Sequence, residues 1–406
     1  MKRPRMLGMV LAGGRGERLF PLTRDRSKPS VSFGGKYRII DFVLSNFINS
    51  GIYSIYVVVQ YKSQSLIEHL RAAWRLGGRI KHQFITIAPP QMRRGEVWYR
   101  GTADAVYQNL HVIRNFDPEL VVVFGADHIY RMDIAQMMDY HREREADVTV
   151  AAIPVPIESA HRFGVIKVNK EGRIIGFLEK PKDPPPMPGN PKFAYASMGN
   201  YLFNRDILME ALSHDAKRHS EHDFGRTIIP ELFPEGRVFA YDFSQNEIPG
   251  LKKYEERGYW RDVGSIQAYY DAHMDLLGEH PRFDLNNFEW PILSDAVNAP
   301  AARMMGGEVV DSFIGEGSII RGAKVKRSII GRGVVLEAGS EVEESILFDF
   351  CEVGSGCRIK RSIIDRFNLI KPGEEIGYDL ERDKQRFTVN NKGVVTIPRA
   401  PTRFFY

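Results

Sequence analysis

Only two cysteines, Cys351 and Cys357, occur in 406 residues. That excludes a disulfide scaffold, and with no CxxC pair and no second ligand pair it excludes a structural zinc site as well. Scarce cysteine suits a reducing compartment, so the cytoplasm is the expected location. No apolar run approaches the roughly 20 residues that cross a bilayer, and no membrane partner is expected. Met1-Lys-Arg-Pro-Arg leads into a short strand, not into a cleavable signal, which fits the same expectation. Runs of five or more Lys or Arg are absent too, as is any nucleic-acid-binding signature, so nucleic acid is not an expected partner. What is present suffices for real cores: 43% hydrophobic and 26% charged residues, in a length that favours two domains. The formal net charge of +5 favours anionic partners, and phosphorylated metabolites satisfy it.

The first part of the chain alternates two periodicities. Met6 to Val10, Ile55 to Gln60 and Leu120 to Phe124 are short, β-branched-rich runs of the kind buried in parallel sheets. Ile40, Val43, Leu44, Phe47 and Ile48 share one helical face, with Gly51 as the stop, and Leu66, Ile67, Leu70 and Trp74 mark a second helix. This alternation predicts an α/β, Rossmann-like domain with a mostly parallel sheet, whose ligands sit beyond the carboxyl ends of the strands. Phe163 to Val168 and Arg173 to Leu178 read as a hairpin, and Pro181 to Pro191 as a loop. Periodicity fades from His280 to Pro300, which places a connector at 281–300 between domains at 1–280 and 301–406.

The last hundred residues have another character. Ser328-Ile329-Ile330, Ser345-Ile346-Leu347 and Ser362-Ile363-Ile364 recur every seventeen residues, with Ser312-Phe313-Ile314 as a looser copy. Within each repeat apolar residues step by six: Ile330, Leu336, Val342, then Leu347, Val353, Ile359, then Ile364, Ile370, Ile376. Three hexads per turn, with small residues between, predict a parallel β-helix.

The most informative stretch is Leu11-Ala-Gly-Gly-Arg-Gly-Glu-Arg-Leu19, followed by Ser27-Lys28-Pro29. Glycines let main-chain N–H groups approach a phosphate, and Arg15, Arg18 and Lys28 bring cations to the same place. A pocket for a nucleoside triphosphate that is to be cleaved is the reading. Walker spacing is absent, and the third glycine of a dinucleotide fingerprint would fall at Leu19. A P-loop ATPase and a dehydrogenase are thereby disfavoured. Asp127 follows the strand ending at Phe124, where a carboxylate can hold a divalent cation, though Asp127 and Asp262 each also suit a turn or cap. Taken alone, Lys28 reads as a solvated charge and Glu179-Lys180 as an exposed pair. Thr102 reads equally as the N-cap of a helix over 103–110, and His128 as a structural histidine.

Read together, these motifs resemble the bacterial glucose-1-phosphate adenylyltransferases, also called ADP-glucose pyrophosphorylases. The resemblance rests on LAGGRGERL at 11–19, GGKYRIIDFVLSNFINSG at 34–51, WYRGTADAV at 98–106 and ADHIY at 126–130. It continues through FGV at 163–165, FLEKP at 177–181, ASMGNY at 196–201, HDFG at 222–225 and YWRDVG at 259–264. These follow the family's order and cover nearly the whole chain.

The resemblance implies a reaction of ATP with glucose 1-phosphate that yields ADP-glucose and pyrophosphate for glycogen synthesis. A sugar-phosphate oxygen attacks the α-phosphorus in line. That oxygen is already an anion, so positioning and cations carry the catalysis and no general base is required. By this resemblance Gly13, Gly14 and Gly16 cradle the triphosphate, Arg15 grips its β- and γ-phosphates, and Lys28 contacts the leaving phosphates. Gly101 and Thr102 border the base and ribose. Asp127 and Asp262 hold Mg²⁺ against the α-phosphate. Glu179 accepts from sugar hydroxyls, Lys180 neutralises the sugar phosphate, and Tyr99, Gly164, Ser197, Asp223 and Trp260 complete the glucose 1-phosphate site.

The same resemblance implies a left-handed parallel β-helix of hexapeptide repeats that serves assembly, usually as a homotetramer, and allostery. Acyltransferases with such a β-helix rely on a histidine, and none follows His280. Enteric members carry an activator-binding lysine three residues before the Lys-Pro pair, where this chain has Asp25. Arg38 does match an effector residue of the family, so a phosphorylated or carboxylate effector stays open. The alternatives are a nucleotidyltransferase that uses UTP or dTTP, or a non-catalytic regulatory subunit. The second is disfavoured by the retained Arg15, Lys28, Asp127 and Lys180.

Overall fold

The structure is a computed structural model that describes residues 4–75, 82–91, 98–294 and 299–401. Among the described residues the main sheet has nine strands: β1 (Met6–Leu11), β2 (Ser54–Val58), β3 (Phe84–Ala88), β4 (Leu120–Gly125), β5 (Val148–Pro156), β6 (Gly164–Val168), β7 (Ile174–Glu179), β8 (Phe193–Asn204) and β9 (Val238–Asp242). Strands β3, β2, β1 and β4 lie side by side and parallel. Their residues alternate between two buried faces: Leu7, Met9, Val121 and Val123 pack on one side, Val10, Val122 and Phe124 on the other. Burial on both faces is why these runs read as continuously apolar.

Strand β8 runs antiparallel to β4 and joins the parallel half to the expected hairpin β6–β7, so the sheet as a whole is mixed. Its pairing with β5 slips between Ser197 and Tyr201. Such a bulge re-aims side chains at a sheet edge. Residues 181–191 carry no helix or strand, as expected from their prolines.

Helix α1 (Ile39–Asn49) begins where the Asp41 carboxylate accepts from the Arg38 backbone N–H, and stops before Gly51, whose φ is 78°. Helix α2 (Gln64–Ala73) follows β2. The helix expected over 103–110 is divided into α3 (Thr102–Tyr107) and α4 (Leu110–Phe116). At the break the Asn109 side chain donates to the Ala105 carbonyl at 2.8 Å, so a side-chain amide takes a backbone acceptor of the preceding turn.

Residues 281–294 have no helix or strand and lie along the first domain, with Phe283, Trp290 and Ile292 buried and Ser294 Oγ donating to Asp41 at 2.6 Å. Residues 295–298 of the expected connector, and 402–406 of the expected second domain, lie outside the described residues.

The second domain is a three-sided parallel β-helix of the expected left-handed hexapeptide type, and the register follows the repeat. Ile330 pairs with Leu347 and Leu347 with Ile364; Leu336 with Val353 and Val353 with Ile370; Val342 with Ile359 and Ile359 with Ile376. Ile314 joins the first of these ladders. The three residues of the Ser-Ile-Ile motif have separate duties. Each serine is buried, and the hydroxyls of Ser328 and Ser345 accept the N–H of the serine one coil on: Ser345 N to Ser328 Oγ and Ser362 N to Ser345 Oγ are both 3.1 Å. The following Ile329, Ile346 and Ile363 face the first domain, among Leu22, Val31, Phe33 and Tyr269. The last residues, Ile330, Leu347 and Ile364, fill the interior of the coil.

That interface holds the loop after β1 from behind. Arg26 bonds Asp365 at 2.6 Å with both side chains buried, and Arg24 donates to the Arg399 carbonyl at 2.8 Å. Lys28 begins a short 3₁₀ turn, Lys28–Ser30, two residues beyond Arg26. The β-helix therefore supports the segment that carries Lys28. Among the described residues no helix is long and apolar enough to cross a membrane.

Candidate active site

A cleft of about 820 Å³ opens at the carboxyl ends of β1, β2 and β4. Gly13, Gly14, Arg15, Gly16, Arg18, Lys28, Asp127, Tyr99, Gly101, Thr102 and Asp223 all line it. The expectation that ligands sit beyond the strand ends is met because β1 and β4 stop together: Ala126 N donates to the Leu11 carbonyl at 3.1 Å. Gly16 has φ 65°, and a Cβ there would stand 2.8 Å from Lys28 Cβ, so this glycine lets the lysine pass beneath the loop.

Lys28 is nearly buried, and its ammonium lies between two carboxylates, 3.2 Å from Asp127 Oδ2 and 3.1 Å from Asp262 Oδ1. Burial disfavours the charged lysine, yet Asp127 and Asp262 outweigh it and raise its pKa above the ordinary value. Burial likewise works to raise the Asp127 carboxyl. His128, Lys28 and Arg18 overcome it and hold the group well below the usual carboxylate range. Both groups are therefore ionised at neutral pH. Taken alone Lys28 reads as a solvated charge; instead it is buried, with two carboxylates as its neighbours, and it lines the cleft.

Asp262 also faces Arg18, at 3.7 Å from its other oxygen. The short strand Trp260–Asp262 pairs with His128–Tyr130, which brings Asp262 beside Asp127 across 135 residues of chain. Ligand atoms of Asp127, His128 and Asp262 lie within 4.8 Å of one another. His128 Nδ1 stands 3.4 Å from Asp127 Oδ1, is buried and has no hydrogen-bond partner among the described residues, and the ring packs on Trp260 at 4.7 Å. The two carboxylates suit a hard divalent cation, and the imidazole nitrogen beside them is a borderline ligand. From sequence His128 reads as a structural histidine; its ring does pack on Trp260, but its Nδ1 lies beside the Asp127 carboxylate.

Arg15 is exposed, 3.6 Å from Glu17 and 5.8 Å from the Tyr61 ring, and is free to turn toward a ligand in the cleft. Gly101, not Thr102, is the N-cap of α3. A Cβ at Gly101 would stand 2.2 Å from the His222 carbonyl, which accepts the Ala103 N–H at 2.8 Å. Thr102 is the first helical residue, and its hydroxyl bridges the cleft wall, donating to Asp223 at 2.8 Å and accepting from Phe224 N at 3.0 Å.

Gly164, Glu179, Lys180, Ser197 and Trp260 do not line this cleft; Ser197 and Trp260 touch residues that do, and the other three lie farther out along the hairpin. Lys180 is exposed and rests on Glu179 at 3.1 Å. Glu179 also meets Arg226 at 3.4 Å, in the turn capped by Asp223. Glu179 pairs with Gly164 across the hairpin. Ser197 holds Gly199 N at 3.3 Å, and Gly199 and Tyr201 line the cleft. Lys180 precedes Pro181 yet has φ 46°, a strained conformation for a residue before proline.

Gln60 was missed. It follows β2 as Asp127 follows β4, and its side chain clamps the backbone of Tyr99, accepting from Tyr99 N at 2.8 Å. The strand-end rule that located Asp127 would have found it.

Arg38 stands apart from the cleft and donates to Ser65, at 2.8 Å to the carbonyl and 3.0 Å to the hydroxyl. It shares the domain interface with Arg26, Arg332 and Arg366. Burial and then Arg26 lower the Arg38 pKa to about 10; burial, Arg26 and Arg38 lower that of Arg366 to about 9. Arg26 Nη1, Arg332 Nε and Nη1, and Arg366 Nε are buried without partners among the described residues.

Comparison with known proteins yields two family matches, Nucleotidyl transferase over residues 7–279 and GlmU-like, C-terminal hexapeptide over 297–397. The chain is similar to a glucose-1-phosphate adenylyltransferase of Thermodesulfovibrio yellowstonii, 52% identical over 398 residues, covering 98% of this chain and 97% of the relative. It is 51% identical over 412 residues to one of Thermus thermophilus, covering 98% and 99% of the two chains. It is 49% identical over 406 residues to one of Anaeromyxobacter sp., covering 98% of each.

Proposed function

Because the chain belongs to the glucose-1-phosphate adenylyltransferase family, we infer that it transfers the adenylyl group of ATP to α-D-glucose 1-phosphate, giving ADP-glucose and pyrophosphate for glycogen synthesis. The observation that carries this reading is the convergence of Gly13, Gly14, Arg15, Lys28 and Asp127 on one cleft at the strand ends.

The chemistry asks for charge control. A phosphate oxygen of the sugar forms the new bond to the α-phosphorus, and the bond from that phosphorus to the bridging oxygen of the leaving pyrophosphate breaks. Two anions must meet, and negative charge grows on the leaving group. In our reading the glycine loop presents backbone N–H groups to the triphosphate, and Arg15 closes on its outer phosphates. Gly101 and Thr102 border the nucleoside. Tyr99, Gly164, Glu179, Lys180, Ser197, Asp223 and Trp260 receive glucose 1-phosphate. The strained backbone at Lys180 supports a site role, since strain that persists is commonly functional. Asp127 and Asp262 would hold Mg²⁺, with His128 beside them. Bound there, the ion polarises a phosphoryl oxygen and neutralises developing charge.

We take 1–280 as the catalytic domain, 281–300 as the connector and 301–406 as the assembly and regulatory domain, in a cytoplasmic enzyme. Unpartnered guanidinium nitrogens of Arg26, Arg332 and Arg366 beside Arg38 support an anionic effector at the domain interface. Purified protein with Mg²⁺ and glucose 1-phosphate is expected to release pyrophosphate with ATP far faster than with UTP or dTTP. Sugar phosphates and small carboxylates, crossed with that panel, are expected to change the rate. Release driven by UTP or dTTP alone would move the activity to another nucleotide, and an unresponsive rate would remove the effector. A homotetramer is expected by light scattering, and a monomeric mass would sink that part.

A further inference from the structure

We propose that Lys28 is a built-in competitor for the divalent cation, so that the metal enters the Asp127–Asp262 site together with the triphosphate and not ahead of it. This deepens the reading above and rests on it. The argument begins from position. An ammonium 3.2 Å from Asp127 and 3.1 Å from Asp262 already takes one oxygen of each carboxylate. A cation held by those carboxylates competes with the ammonium for their lone pairs and their negative charge. The lysine has little room to step aside. Its side chain is 6% exposed, and Gly16 lies directly over its stem. Pro29 and the 3₁₀ turn over Lys28–Ser30 fix its backbone, and Arg26 is tied to Asp365 two residues away.

Charge points the same way. The two carboxylates are balanced by Lys28 and by Arg18, whose guanidinium is 3.7 Å from Asp262. A divalent ion added to that neutral set leaves two uncompensated positive charges in a partly enclosed site. A triphosphate removes the conflict, because its oxygens can reach the Lys28 ammonium in place from the cleft that it lines and supply the missing negative charge. Cation and polyphosphate should then raise each other's affinity by the same factor.

Mn²⁺ reports on this directly, because the electron paramagnetic resonance signal of the free ion is lost on binding. The full chain is titrated with Mn²⁺ alone and with α,β-methylene-ATP, correcting for the binary Mn²⁺–nucleotide complex. Wild type is expected to bind Mn²⁺ at least about tenfold more tightly with the nucleotide than without it. Lys28→Gln is expected to bind Mn²⁺ without nucleotide at least about tenfold more tightly than wild type, and to lose most of the nucleotide dependence. Adding Asp127→Asn to that variant should abolish the gain. Equal or weaker Mn²⁺ binding by Lys28→Gln overturns the proposal. So does a wild type whose Mn²⁺ affinity ignores the nucleotide, a measurement that needs no variant to fold. Loss of Mn²⁺ binding in every condition would overturn it together with the metal reading beneath it. Pyrophosphate release with another nucleotide would instead correct the substrate and leave the competition intact.

Discussion

Asp127→Asn is expected to lower kcat by about a thousand-fold while the protein stays folded. The substitution keeps shape and removes one charge. Lys28 retains Asp262 at 3.1 Å, so the buried ammonium still has a partner. The Asp127 side chain is 43% exposed, so folding does not depend on burying it. What is lost is a carboxylate held ionised by His128, Lys28 and Arg18 at the place where phosphoryl charge must be controlled. A metal-borne contribution of several kcal/mol to the transition state corresponds to about a thousand-fold in rate. The measurement is steady-state kinetics with a Mg²⁺ titration, alongside thermal melting. Turnover within tenfold of wild type, at any Mg²⁺ concentration, would be incompatible with Asp127 as a ligand.

Asp365→Ala should give the largest loss of stability. Arg26 and Asp365 are both nearly fully buried, 2.6 Å apart, at the junction of the two domains. Removing the carboxylate strands a guanidinium that already has one unpartnered nitrogen and sits near Arg38 and Arg366. Breaking a buried pair from one side costs about 3–5 kcal/mol, because the remaining charge stays desolvated. The midpoint of thermal unfolding should fall on the order of 10 °C. Activity should fall as well, because Arg26 anchors the turn that begins at Lys28. Replacing both partners, Arg26→Met with Asp365→Leu, should restore much of the stability but not the effector response. Asp365→Ala with an unchanged melting point would mean that the β-helix does not hold this loop. Differential scanning calorimetry on the three proteins decides the matter.

Much of the architecture was legible because it rests on local periodicity. Met6–Leu11 and Leu120–Gly125 are apolar throughout and become central parallel strands. The seventeen-residue repeat becomes the coil register residue for residue, since one coil of a β-helix can only stack in phase on the next. The glycine loop and Asp127 were placed at one sheet edge by the strand-end rule alone, and the cleft lies there. Local competition was less visible. The single helix expected through Leu110 breaks at Asn109, because a side-chain amide captures a backbone carbonyl, and Gly101 takes the cap expected of Thr102.

Long-range juxtaposition lay beyond the sequence. The resemblance implied that Asp127 and Asp262 share an ion, but nothing along the chain says that the Lys28 ammonium stands between the two carboxylates. Likewise nothing in Ser-Ile-Ile says that its first isoleucine faces the other domain while its second fills the coil. Periodicity is a property of neighbours along the chain, so strands, repeats and the phosphate-binding loop were determined there. The partners of Lys28 and Arg26 were decided only when folding closed distances of 99 to 339 residues, because a buried charge takes its partner from whatever packing brings within reach.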